Sequence, residues 1–203
     1  MSKLITVEQI QELGKEFGYN SNSIRAVMQV EAPKGGFLPS GRVTILFERH
    51  KFYQFLRLTP SKQAEMIRLH PGIYNPRSGG YIGGEKEWDR LEKAQEFGKV
   101  AALKSASWGR GQIMGFNFAA AGFASVQEMV LSFSESEQNQ MRGMLRFIKA
   151  DRRLDLIMRL QNPTLKEWES FAERYNGRNY RDNDYHTKLQ NSYSKLVLAD
   201  LGK

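Results

Sequence analysis

Glu31 stands where a carboxyl group's type and spacing could do chemistry. It follows Met28 by three residues, Val27 by four and Ile24 by seven, offsets that share one face of an α-helix. A carboxyl turned to that apolar face loses hydration, which disfavours its charged form. It also occupies the last turn before Pro33, Gly35 and Gly36, where the negative end of the helix dipole acts the same way. A carboxyl kept protonated near neutral pH is what a general acid requires. The alternative is an ordinary helix-end glutamate that reaches solvent beside the chain break. Periodicity leaves both open.

Other chemistries lack their residues. There is no cysteine, and His50, His70 and His186 lie far apart with no HExxH, so a zinc peptidase or amidase has too few ligands. No GxSxG elbow is present. The stretch Gly109-Arg110-Gly111-Gln112-Ile113-Met114-Gly115 imitates a dinucleotide loop, but its third glycine comes one residue late and no buried strand precedes it. No metal and no cofactor is implied. Thirty Lys and Arg against 22 Asp and Glu give a net charge of +8. That field draws polyanions, whether nucleic acid, anionic lipid or a carboxylate-rich cell wall, and does not choose among them.

The elements that must position Glu31 are mostly helical. Thr6 opens a helix with Gln9 in capping-box position, and Gly18 ends it. A second helix starts near Asn22 or Ser23 and closes at Glu31. Gly36 to Phe47 reads as a small hairpin, with Pro39-Ser40-Gly41 as its turn and β-branched residues from Val43. Helical spacing returns over 48–58 and 60–69, the latter with Pro60 at its first position. Pro71 to Gly84 is a long loop, and Glu85 to Leu103 a helix. Ser105 to Gly115 reads as a loop into a short apolar helix ending at Phe123. Capping boxes are expected at Ser125 with Glu128, Ser134 with Glu137, and Thr164 with Glu167. Helices then run to about Phe133, to Leu160 with a break near Asp151, and to Arg174, and a last one covers Asp184 to Leu201. The expected fold is α+β, predominantly α-helical, as a single domain over 1–203.

A helix-closing Glu, a glycine-bearing break and then a small hairpin resemble one cleft wall of the lysozyme-like superfamily. Ser107 to Met114 resembles its Ser-x-Gly-x-x-Gln-type element, and Phe171-Ala172-Glu173-Arg174-Tyr175-Asn176-Gly177 its Ala-x-x-Tyr-Asn-Gly element. Glu31 with Gly35-Gly36-Phe37, Gly41-Arg42 and above all Leu46-Phe47-Glu48-Arg49-His50 is similar to the N-acetylmuramidase domain of phage and prophage endolysins. With Ser105 to Phe116 and Tyr175 to Lys188 the likeness covers nearly the whole chain. The family usually has Ser or Gly directly after its catalytic Glu, whereas here Ala32-Pro33-Lys34 intervene.

The resemblance implies a lysozyme-like fold and cleavage of the β-1,4 bond between N-acetylmuramic acid and N-acetylglucosamine, with Glu31 as proton donor. It makes Glu48 a candidate second carboxylate, against the reading that it pairs with Arg49 or Arg42 or with a helix-borne Lys. Gln112, Tyr175 and Asn176 become candidate sugar contacts, with a structural hydrogen bond to loop backbone as the alternative role for Gln112. Trp108 and Tyr81 are candidates to line subsites, although core or surface packing is the plainer role for both. Arg110 and Arg178 are candidates to meet wall carboxylates. The expected partner is peptidoglycan, with an anionic outer-membrane surface as a further one; nucleic acid is not an expected partner, since no recognition-helix cluster of Arg and Asn stands out. Met1 to Asn20 lacks the apolar core of a secretion signal. The expected course is therefore accumulation in the host cytoplasm, passage with a holin-type helper, and action as a monomer on the periplasmic wall. The rivals are a lytic transglycosylase, a nucleic-acid-binding module and a non-enzymatic wall binder.

Overall fold

The computed structural model describes residues 3–31 and 35–202, with the side chains of Glu31, Arg178 and Asn179 outside that description. Local capping chemistry sets the helix ends. The Thr6 hydroxyl accepts from Gln9 N–H, and the Gln9 side chain accepts from Thr6 N–H, opening α1 (Val7–Phe17). Gly18, at φ 69°, closes it in the left-handed region open to glycine. Asn20 accepts from Asn22 N–H at 2.9 Å, so α2 (Ser21–Glu31) begins slightly ahead of the expected start. Ile24, Val27 and Met28 are buried, so the helix face assigned to Glu31 faces the core. The Glu31 side chain itself, and the departure at Ala32-Pro33-Lys34, lie outside the described residues.

The β structure differs from the expectation. Phe37 does bridge Val43, and Leu38 N–H donates to Arg42 O at 2.8 Å, so the tight turn forms. The strand that follows, β1 (Ile45–Phe47), pairs instead with β2 (Ala106–Trp108), and β2 turns back into β3 (Ile113–Met114). The sheet is antiparallel in the order β1-β2-β3. Ser105 to Gly115, expected as a loop, is thus the sheet's centre and its return. The short apolar helix expected through Phe123 reduces to a 3-10 turn at Gly115–Asn117.

Around this sheet lie α3 (Arg49–Phe55), α4 (Pro60–Leu69), α5 (Lys86–Lys104), α6 (Val126–Glu135), α7 (Glu137–Ala150), α8 (Arg152–Arg159), α9 (Leu165–Asn176) and α10 (Tyr185–Leu201). Thr164 and Glu167 form the expected reciprocal box, and Asp151 caps α8 at the expected break. The box at Ser134 is a correction: Ser136 caps α7, and the Ser134 hydroxyl donates to Val130 O. On α10, Leu189 and Leu196 pack inward against α2 and α9, while Leu201 is exposed. Among the described residues no helix is long and apolar enough to cross a membrane.

The long loop Pro71 to Gly84 is fastened from below. Glu87, fully buried on α5, accepts from Phe47 N–H (3.0 Å), Ile82 N–H (2.7 Å), Gly83 N–H (2.9 Å) and Arg90 Nη1 (2.6 Å). Arg90 in turn donates to Gly72 O and Phe47 O. Burial alone would push the Glu87 carboxyl up, but the three backbone N–H groups and the guanidinium outweigh it and hold it below its ordinary value. Asp151 beside Arg174 and Asp155 beside Arg159 are also held low. Carboxylates lowered by folding stabilise the native state above their unfolded pKa and cease to do so as pH falls through the folded value. The melting temperature is therefore expected to be level from about pH 5 to 7 and to fall below about pH 4, less steeply in Glu87→Gln. A series of thermal melts that stays flat to about pH 3 would contradict this.

Candidate functional site

The β2–β3 turn supplies one side of the site. Gln112 sits at φ 47°, a left-handed conformation that is uncommon for a non-glycine residue and needs outside support. Its own amide provides it: Nε2 donates to Gly109 O at 2.8 Å, and Oε1 accepts from Ser107 Oγ at 2.8 Å. Across from it, Tyr175 near the end of α9 stacks on Phe171, with ring centres 5.5 Å apart, and meets Phe147 edge-on. The Tyr175 hydroxyl donates to Gly111 O at 3.0 Å, joining α9 to the turn. Gly111, Gln112, Met114, Asn117, Tyr175 and Asn176 are among the residues lining a groove of about 160 Å³. Two sequence elements far apart in the chain thus meet at one depression that offers amides and an aromatic ring.

Glu48 belongs to the same side of the sheet. Ile45 and Phe47 are buried, so strand alternation puts Leu46 on the opposite face, beside Ser107 and then Met114 in register, and Glu48, one residue past β1 with its N–H donating to Ser105 O at 2.9 Å, continues that alternation. Two strand spacings, about 10 Å, separate the lines of β1 and β3. The Glu48 carboxylate is 15% exposed and accepts from the Tyr81 hydroxyl at 2.8 and 2.9 Å, and His50 Nδ1 lies 3.1 Å from it. Burial, then the bond to Glu48, push the Tyr81 phenol up to about 12, so it remains a donor throughout the physiological range. The pairing of Glu48 with Arg49 or Arg42 does not occur: Arg49 holds the carbonyls of Pro71, Arg77 and Ser78, and Arg42 pairs with Glu92.

Comparison with known proteins bears on this arrangement. The family model of the N-acetylmuramidases matches residues 20–197. The chain belongs to the N-acetylmuramidase family. A crystal structure of a Burkholderia AP3 phage endolysin superposes with a TM-score of 0.85 at 34% identity, over 98% of this chain and 73% of that one. No curated protein matches. The fold is accordingly lysozyme-like α+β, and the muramidase is a peptidoglycan-cleaving enzyme.

Two sequence candidates have other places in this muramidase. Trp108 is fully buried, with its indole Nε1 donating to Leu103 O at 3.0 Å and its ring edge-on to Trp88. On β2 it alternates with Ser107 and points to the core face, so it lines no sugar subsite. Arg110 turns inward to Glu137, Nη1 to Oε1 at 2.8 Å, with its side chain 16% exposed, which directs it away from wall carboxylates. Arg178's side chain lies outside the described residues. Tyr81 is half exposed beside Glu48.

Four residues escaped the sequence reading: Glu87 and Arg90 under the loop, and Glu137 and Gln140 behind the β2–β3 turn. A signal was present. Glu87 precedes Leu91 and Ala94 by four and seven residues, and Glu137 precedes Met141 and Met144 by the same intervals, so each carboxylate lies on an apolar helix face.

Proposed function

We propose that this muramidase hydrolyses the β-1,4 bond between N-acetylmuramic acid and N-acetylglucosamine, with Glu31 as general acid, and serves as an endolysin in host lysis. The observation that carries this is the meeting of Gln112, Tyr175 and Asn176 at one groove beside β3. Amide groups suit the N-acetyl and hydroxyl groups of a sugar, and a tyrosine ring offers an apolar face to stack on it. Glu31 protonates the glycosidic oxygen as the oxocarbenium-like transition state forms, and water completes the cleavage. Glu48, held by the Tyr81 hydroxyl, is the second carboxylate, in the role of orienting that water or stabilising the developing positive charge. The basic charge favours adsorption to the acidic wall, which a protein made in the host cytoplasm reaches once a holin-type helper opens the inner membrane.

Product chemistry tests the bond broken. Muropeptides released from purified walls are expected to carry a borohydride-reducible muramic acid end. A 1,6-anhydromuramyl end would show instead that the muramyl residue closes on itself without water. Glu48→Gln is expected to lower kcat by roughly 10- to 100-fold with little change in apparent KM. Unchanged kcat in steady-state release assays would remove Glu48 from the chemistry.

A further inference from the structure

Glu137 and Gln140, one turn apart on α7, are 1% and 0% exposed and take no part in the reaction just described. Both reach Gly36 and Arg110, Glu137 through the Arg110 side chain and Gln140 through its backbone. Glu137 Oε1 accepts from Gly36 N–H at 2.7 Å and from Arg110 Nη1 at 2.8 Å, while Oε2 accepts from Ile5 N–H at 3.1 Å. Gln140 Oε1 accepts from Arg110 N–H at 2.8 Å, and its Nε2 donates to Gly36 O at 3.3 Å and Phe133 O at 2.9 Å. Gly36 lies five residues after Glu31, and Arg110 two before Gln112. Thr44 lies between the same two segments, donating from N–H to Gly36 O at 2.9 Å and accepting from Gly109 N–H at 2.8 Å.

The fit leaves no spare room. A Cβ on Gly36 would stand 1.9 Å from Gln140 Oε1, and one on Gly109 would stand 2.7 Å from Gln140 Cδ. Apolar side chains would fill this volume without the cost of burying a carboxylate. A buried hydrogen-bonded network instead fixes one arrangement of the segments it joins. We infer that Glu137 and Gln140 form a clasp that sets the position of Gly36, five residues after Glu31, relative to the β2–β3 turn, and so act as positioning residues for catalysis. The inference rests on Glu31 being the acid.

Steady-state release from purified walls tests it with Glu137→Gln and Gln140→Met. Glu137→Gln leaves a donor facing the Ile5 N–H or the Gly36 N–H, and Gln140→Met removes the bonds to Gly36 and Arg110 at similar length. Each is expected to lower kcat roughly 10- to 100-fold, the scale of a misplaced catalytic group, with apparent KM within about twofold. Asp155→Asn, which disturbs the bond from α8 to Tyr19, just past α1, and the pairing with Arg159 within α8, is the stability control and is expected to keep kcat. The assay is run well below all melting temperatures, and Gln140→Met decides if Glu137→Gln does not fold. The clasp is overturned if the variants turn over like wild type, if only KM rises, or if Asp155→Asn loses as much kcat. Glu31→Gln in the same assay separates the two ideas: its inactivity beside wild-type turnover in the clasp variants removes only the clasp, and its full activity removes both.

Discussion

Glu31→Gln is expected to lower the rate of muropeptide release by about 10³-fold, within the range of general acid catalysis, while wall binding changes by less than about twofold. The amide keeps the shape of the carboxyl and much of its hydrogen bonding, so binding that depends on the groove persists. It has no acidic proton to give, and an alkoxide expelled unprotonated from the sugar is a poor leaving group. Losing that factor corresponds to about 4 kcal/mol of transition-state stabilisation. Pelleting of protein with purified walls, alongside the release assay, separates the two quantities. Loss of binding in parallel with turnover would mean that position 31 supports the fold or the wall contact instead of the chemistry. Full lysis by the variant would pass the role to another carboxylate.

The largest effect on stability is expected at Gly115, where Gly115→Ala should cost about 3 kcal/mol. The reason is steric. A Cβ there would stand 2.0 Å from the carbonyl oxygen of Leu103 and 2.9 Å from Lys104 Cα, both backbone atoms at the end of α5. Backbone cannot swing aside as a side-chain tip can. For a chain of this size the melting temperature should drop by about 6–12 °C. Gly72→Ala, with nothing within 4 Å of the added methyl, is the companion expected to stay within about 0.5 kcal/mol. Because β3 ends at Met114 on the groove, Gly115→Ala should also reduce activity at temperatures where it remains folded. Denaturant midpoints for the pair check both statements, and equal midpoints would contradict the close approach.

Helix ends were legible because capping is local chemistry. Thr6 with Gln9, Gly18, Asp151 and Thr164 with Glu167 each act within a few residues of themselves. The Ser134 and Glu137 pair shows the limit of such a pattern. The spacing matched a capping box, yet Ser136 does the capping and Glu137 bonds to residues more than a hundred positions away. Strand β2 was missed for a related reason. Its partner Ile45–Phe47 lies some sixty residues earlier, and nothing within Ala106-Ser107-Trp108 announces that pairing. The two-residue alternation that turns Trp108 inward was there to be read, but only once the segment is known to be a strand.

The candidate site was legible in its residue types more than in its geometry. Gln112, Tyr175 and Asn176 share the groove that their motifs suggested, whereas Trp108 and Arg110, from the same motif as Gln112, serve the core and the clasp. The apolar-face criterion that singled out Glu31 fits Glu87 and Glu137 equally well. Glu87 is surrounded by backbone N–H donors and Arg90, which favour a fixed carboxylate over a proton donor, and Glu137 is tied to the Gly36 and Ile5 N–H groups and to Arg110. Spacing therefore locates a carboxylate on a buried face, and the donors that tertiary structure brings to it decide what it does.

The claim that Glu31 works on a sugar held at the Gln112–Tyr175 groove is met most directly by a crystal structure of Glu31→Gln with a bound glycan fragment of peptidoglycan. The account predicts a glycosidic oxygen within about 3 Å of the side chain at position 31, with a neighbouring sugar against Gln112, Tyr175 and Asn176. A glycan seated elsewhere on the protein, or one whose glycosidic oxygen meets a different carboxyl group, would contradict it.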